Sequence, residues 1–271
     1  MRFQRSLAVA IASVALTLTL VPAGSSAEPA LEAKKGVSAT NEDGASQALR
    51  DVGASWFHTW ASDMQGIAPP EGSEFVPMIW GADSVNQQQL DQAKASGTTL
   101  LGFNEPDLPG QANMSVDQAL TLWPQLEGTG MRLGAPAVSS AGDQPGSWLD
   151  QFMTGAADRG YRLDFIPLHW YGADFSPAAV DQLRGYLQAV HDRYQKPIWL
   201  TEYALIDFSP GTPRYPSPEE QERFVRDAKA MLEGLPFVER YAWFTLSTAT
   251  SPTGLYDGTQ VNPSGAAYRE G

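Results

Sequence analysis

Two glutamates end apolar runs in this chain: Leu100-Leu101-Gly102-Phe103-Asn104-Glu105, and Ile198-Trp199-Leu200-Thr201-Glu202. Hydrolysis of a glycosidic bond needs one carboxyl that protonates the leaving oxygen. It needs a second on the opposite face of the sugar, as a nucleophile or as a base that activates water. A lone loop carboxylate is ordinarily solvated or ion-paired, whereas two that each close an apolar strand are candidates for paired acid/base work. Asn104 precedes the first glutamate, and its carboxamide suits a sugar 2-hydroxyl, a contact that tightens in an oxocarbenium-like transition state. Pro106 fixes the turn that follows.

The pair is useful only if the fold brings residues distant in sequence to one place. Eight short apolar runs read as strands: Lys35–Ser38, Ser55–Trp60, Glu74–Trp80, Thr99–Asn104, Arg132–Ala137, Asp164–Trp170, Ile198–Glu202 and Tyr241–Leu246. Amphipathic stretches alternate with them at about 44–52, 84–96, 115–127, 147–159, 177–194 and 217–232, with a short last one near 263–270. Asp83/Ser84, Ser115 and Ser217 supply capping oxygens where three of these begin. This alternation predicts an α/β fold, a compact (β/α)8 TIM barrel, since an open doubly wound sheet would carry a glycine-rich phosphate turn after its first strand and none is present. Catalytic groups of such barrels sit where strands end, so Glu105 and Glu202 would share one mouth with their carboxyls roughly 5 Å apart, the spacing for retention.

The 271 residues divide into an expected export signal at 1–27, a short leader at 28–34 and a single catalytic domain at 35–271. Arg2 and Arg5 precede an apolar run to Val21, followed by Pro22 and the small residues Ser25-Ser26-Ala27, which is signal-peptide chemistry and too short for a span. The formal charge of −13 argues against nucleic acid and acidic polysaccharides as partners. With no cysteine, disulfides and thiolate zinc sites are excluded. Secretion, a monomeric state and no membrane association after signal cleavage are the expectations. Eight Trp and nine Tyr give ample apolar faces for stacking on sugar or for filling a core.

GFNEPD at 102–107, HWYG at 169–172 and WLTEYA at 199–204 together resemble glycoside hydrolase family 128. The resemblance implies a compact retaining barrel with endo-β-1,3-glucanase activity on neutral β-glucan. It implies Glu105 as general acid/base, Glu202 as nucleophile, and His169 and Tyr171 placed to orient the nucleophile. No metal or organic cofactor is implied. Trp170 and Trp243, near strand ends, are the first choices for a stacking platform, with Trp56, Trp60 and Trp80 facing them and His58 near Trp60. Phe208, Tyr215 and Tyr256 lie in loops that shape the cleft but have no assigned place. Two other readings stay open: a barrel that binds glycan without cutting it, and a metal-dependent hydrolase using His58 and His169.

Overall fold

A computed structural model describes residues 34–270, so the export signal and most of the leader lie outside the described residues. Eight parallel strands form the centre: β1 (Lys35–Ser38), β2 (Trp56–His58), β3 (Glu74–Phe75), β4 (Thr99–Leu100), β5 (Arg132–Leu133), β6 (Ile166–Gly172), β7 (Ile198–Leu205) and β8 (Val238–Trp243). Six pair in the order β3-β2-β1-β8-β7-β6, and β4 pairs with β5. Parallel bridges at Met78–Leu101, Gly134–Phe165 and Val138–Leu168 join these two pieces into a closed ring. The central sheet is therefore the eight-stranded barrel expected from the sequence.

Among the described residues seven α-helices accompany the strands: α1 (Ala45–Val52), α2 (Gln87–Ser96), α3 (Val116–Glu127), α4 (Trp148–Asp158), α5 (Ala179–Tyr194), α6 (Pro218–Glu233) and α7 (Pro263–Arg269). A small antiparallel hairpin, β9 (Tyr256–Asp257) with β10 (Gln260–Val261), precedes the last helix. Ser115, Ser147 and Ser217 each accept a backbone N–H at a helix start, and Ser217 forms a full capping box with Glu220. The second helix begins later than expected, because Asn86 rather than Ser84 is its cap and residues 82–84 form a separate 3-10 turn. In α6 the buried Phe224, Val225, Ala228, Met231 and Leu232 recur at helical spacing, turning one stripe onto the barrel.

Strand alternation divides the core in two. Trp56, Val76, Met78, Leu101, Phe165, Trp199 and Ala242 fill the barrel interior. Residues of opposite parity, such as Phe57, Leu168, Leu200 and Tyr241, pack outward in the layer shared with the helices. At the N-terminal end of the strands the interior is closed by charge: Arg240 pairs with Glu74 at 2.6 Å and Arg132 with Glu239 at 2.6 Å. The Arg240 guanidinium lies over Trp199, 4.4 Å from the ring centroid. These charges explain why β8 starts three residues earlier than its apolar run suggested.

Candidate active site

Glu202 reaches the barrel mouth through an irregularity in β7. Trp199 faces the interior and Leu200 the helices, so strict alternation would turn Glu202 outward with Leu200. The register with β6 instead slips: Leu168 pairs with Leu200 and His169 with Glu202, leaving Thr201 as an extra residue. The β8 side slips at the same place, between Leu200 and Tyr203. This bulge reverses the parity, so that Tyr203 packs outward and Glu202 turns into the mouth, the re-aiming that bulges beside functional sites perform. His58 Nε2 donates to the Thr201 carbonyl at 2.9 Å, holding the bulged segment from across the barrel.

Glu105 is placed by a different device. Its backbone adopts φ 43°, left-handed and costly for a residue with a side chain, by about 1–3 kcal/mol. The Asn104–Ala137 bridge and the hydrogen bond from Glu105 N to Ala137 O at 2.7 Å hold that turn against the segment that follows β5. Trp60, just beyond β2, is also left-handed at φ 59°. Both strained residues line the same cleft.

The two carboxyls are buried, with Glu105 6% and Glu202 4% exposed. One oxygen of each, together with a ring nitrogen of His169, lies within 4.8 Å of the others. His169 Nδ1 is 2.8 Å from Glu105 Oε1, and its Nε2 sits 3.4 Å from Glu202 Oε1. Glu202 also receives the Trp60 indole N–H on Oε1 at 2.6 Å and the Tyr171 hydroxyl on Oε2. Burial pulls the His169 imidazole down, but the charges of Glu202, Glu105 and Asp107 and the Glu105 hydrogen bond outweigh it and raise it overall. Burial pushes the Glu202 carboxyl up, with help from the Glu105 charge, against the His169 charge and the Tyr171 and Trp60 donors. Burial and the carboxylate beside it keep the Tyr171 hydroxyl protonated, so it can only donate there.

Around this pair lies a cleft of about 760 Å³ whose walls include Trp60, Trp80, Asn104, Tyr171, Phe208, Tyr215 and Phe244. Leu108, Phe208 and Tyr215, three of the four large hydrophobic side chains found exposed among the described residues, border it. Such an exposed apolar rim marks a surface that meets a ligand. Phe208 and Phe244 both set an edge against the Tyr171 ring, at 5.5 and 5.4 Å between centroids.

Several expected contacts fall elsewhere. Trp243 is fully buried and faces the helices, packed on Tyr203, Phe224 and Tyr268, with its N–H on the Thr253 carbonyl. Trp170 stacks on Phe224 of α6 and is absent from the cleft wall. Alternation explains this, because Trp170 sits between His169 and Tyr171, which both face inward. His58 is buried below Trp60 and stacked on Trp56, itself interior, so neither opens on the cleft. Tyr256 is buried and bonds Asp51. His169 is nearer Glu105 than Glu202, so it is the Tyr171 and Trp60 donors that grip the second carboxylate. The wall residues Gln111, Ser139, Ser140 and Phe244 were not singled out from sequence. Only Phe244 carried a signal, as an aromatic inside the expected strand Tyr241–Leu246.

Glu105, His169 and Glu202 are the residues with donors close enough for a cation among the described residues. His58 does not join them, and Nδ1 of His169 is hydrogen-bonded to Glu105.

Residues 36–268 match the model of the glycosyl hydrolase catalytic core. A glycoside hydrolase family 128 (subgroup I) endo-β-1,3-glucanase from Amycolatopsis mediterranei, solved with laminaritriose, is 70% identical. The match covers 87% of this chain and 98% of that one, with a TM-score of 0.87. That protein was also solved with laminari-oligosaccharides after replacement of either of two glutamates, which lie 97 positions apart as Glu105 and Glu202 do. A subgroup II endo-β-1,3-glucanase from Sorangium cellulosum is 29% identical over 88% of this chain and 98% of its own, with a TM-score of 0.73. Alkali-sensitive linkage protein 1 of Schizosaccharomyces pombe is 33% identical over 204 residues, 72% of this chain but 35% of the relative, so the chain spans about a third of that protein. The closed parallel barrel, the match over nearly all the described residues and the close bacterial relative together place the chain in the glycosyl hydrolase catalytic core family, within glycoside hydrolase family 128.

Proposed function

We propose that the chain is a retaining endo-β-1,3-glucanase in which Glu202 is the nucleophile and Glu105 the general acid/base. The observation that carries this reading is the closeness of the two carboxyls, within 4.8 Å through one oxygen each, in a cleft rimmed by exposed aromatic rings. A separation near 5 Å suits a covalent glycosyl-enzyme, whereas an inverting pair must leave room for water. The roles follow from hydrogen bonding. An indole N–H can only donate, so Trp60 and the protonated Tyr171 favour the ionised form of Glu202. When Glu105 holds its proton, its charge no longer adds to the burial that raises the Glu202 carboxyl, and the pair is set with one acid and one carboxylate.

In the first step a Glu202 oxygen bonds the anomeric carbon as the glycosidic C–O bond breaks, and Glu105 passes its proton to the departing oxygen. In the second, Glu105 takes a proton from water as that water displaces Glu202 from the same carbon, which returns both carboxyls to their starting states. Asn104 meets the 2-hydroxyl of the sugar at the cleavage point. The preference for β-1,3-glucan and for internal cuts is supported by the 70% identical relative. Export through a signal at 1–27 and a monomeric state belong to the same reading.

Incubation with laminarin and curdlan followed by an assay for new reducing ends tests the activity. NMR of the first products tests the stereochemistry, with the β-anomer expected. Binding without new ends, or an α-anomer appearing first, would overturn the respective part.

A further inference from the structure

We propose that Gln111 is a positioning residue for the reaction: it pins the Asn104 carboxamide so that one amide N–H points at the bound sugar. Asn104 is 3% exposed, and its Nδ2 donates to Gln111 Oε1 at 3.3 Å. Its Oδ1 is buried without a partner. A primary amide nitrogen carries two protons. Gln111 therefore takes one and leaves the other, with the oxygen turned away from solvent.

Among the described residues, Gln111 Oε1 is the hydrogen-bond partner of the Asn104 carboxamide, and without it the amide is free to rotate by half a turn. Rotation would exchange a donor for an acceptor at the place where the sugar hydroxyl sits, and would offer the buried Oδ1 a way out of its unpartnered state. The loop that carries Gln111 is built to hold it in place. Leu108 N bonds Glu105 O at 3.0 Å, Gln111 N bonds Leu108 O at 2.9 Å and Ala112 N returns to Asn104 O at 3.2 Å. Eight residues after Asn104, the backbone thus closes back on it at Ala112. The Gln111 carboxamide is presented by this closed loop rather than by chance contact, and both residues line the cleft.

The inference rests on the hydrolase reading, in particular on a contact that strengthens in the transition state. Loss of an amide orientation should then lower kcat more than it raises KM. On laminari-oligosaccharides, Gln111→Leu should lower kcat about tenfold with KM changed less than about twofold. Gln111→Glu, which keeps an acceptor at the same reach, should return kcat to within about threefold at its own pH optimum. In an Asn104→Ala background, Gln111→Leu should have no further effect, since the two act as one unit.

An active chain in which Gln111→Leu keeps full kcat, or in which its loss is the same with and without Asn104, would overturn the positioning role and leave the hydrolase reading intact. So would a Gln111→Glu variant as slow as Gln111→Leu. An unmodified chain with no hydrolysis of β-1,3-glucan would overturn both.

Discussion

The Trp60 indole nitrogen donates to Glu202 Oε1 at 2.6 Å, while the Tyr171 hydroxyl donates to the other oxygen of the same carboxylate. Each oxygen of the proposed nucleophile therefore meets a donor, and the indole N–H of Trp60 has no acceptor to offer a protonated carboxyl. The two contacts oppose the effect of burial and select the ionised form.

Replacing Tyr171 with phenylalanine removes one of these donors and keeps the ring against Phe244 and Phe208. The Glu202 carboxyl should rise further, so the acid limb of the kcat/KM profile should move to higher pH. The rate at the optimum should fall about 10- to 100-fold. A pH profile of the variant against the parent chain checks both, and an unmoved acid limb would remove Tyr171 from the role given to it.

Glu202→Gln should abolish turnover and at the same time stabilise the fold. Burial and the Glu105 charge raise the Glu202 carboxyl. The folded state thus binds that proton more tightly than the unfolded chain, and stability from this group declines as pH rises out of the usual carboxylate range. At neutral pH the amide avoids the cost, with an expected gain of about 0.5–2 kcal/mol, or roughly 2–6 °C in Tm. Thermal melts at pH 7 and pH 4 should show the gain shrinking at the lower pH.

His58 and His169 should act in opposite directions on acid stability. Burial lowers His58 to about 4. Its Nδ1 has no partner, and its Nε2 is committed to the Thr201 carbonyl. Protonation is resisted in the fold, so stability from this residue is lost as pH falls from about 6.5 towards 4, by up to about 3 kcal/mol. His169 is raised, so its contribution is full below about 6.5 and fades as pH climbs through its folded value. Melting curves across pH 4–8 should show His58→Gln flattening the acid decline and His169→Gln steepening it.

Trp243→Ala should cost about 3–5 kcal/mol of stability without a specific rise in KM, because its ring fills the layer between barrel and helices. Phe208→Ala should do the reverse, since Phe208 is 55% exposed at the cleft rim. Its expected signature is KM for long glucans up about 3- to 10-fold with Tm nearly unchanged, as for a lost stacking surface. Parallel denaturation and kinetics on the two variants separate packing from binding.

The barrel and the glutamate pair were readable because the strands lie in apolar runs and all the described helices but α1 and α5 open on a capping side chain. The exceptions are physical. Glu239 and Arg240 interrupt the start of β8 because they serve the polar floor of the barrel. Trp243 looked like a platform because hydrophobicity alone does not tell which side of a strand faces the mouth. Trp170 was decidable, since its neighbours His169 and Tyr171 already claimed the inner face. The bulge at Thr201 left no mark in the sequence, because it is a matter of pairing with β6 and β8 rather than of composition. Gln111 was hidden for a related reason: its importance depends on a loop closing back on Asn104.

That extra residue in β7 has a consequence for anyone who would move this chemistry into another barrel. Grafting the strand alone would deliver a glutamate to the outer wall, since parity is decided by what lies alongside. The smallest portable piece is three neighbouring strands, β6 through β8, carried with their misaligned rungs.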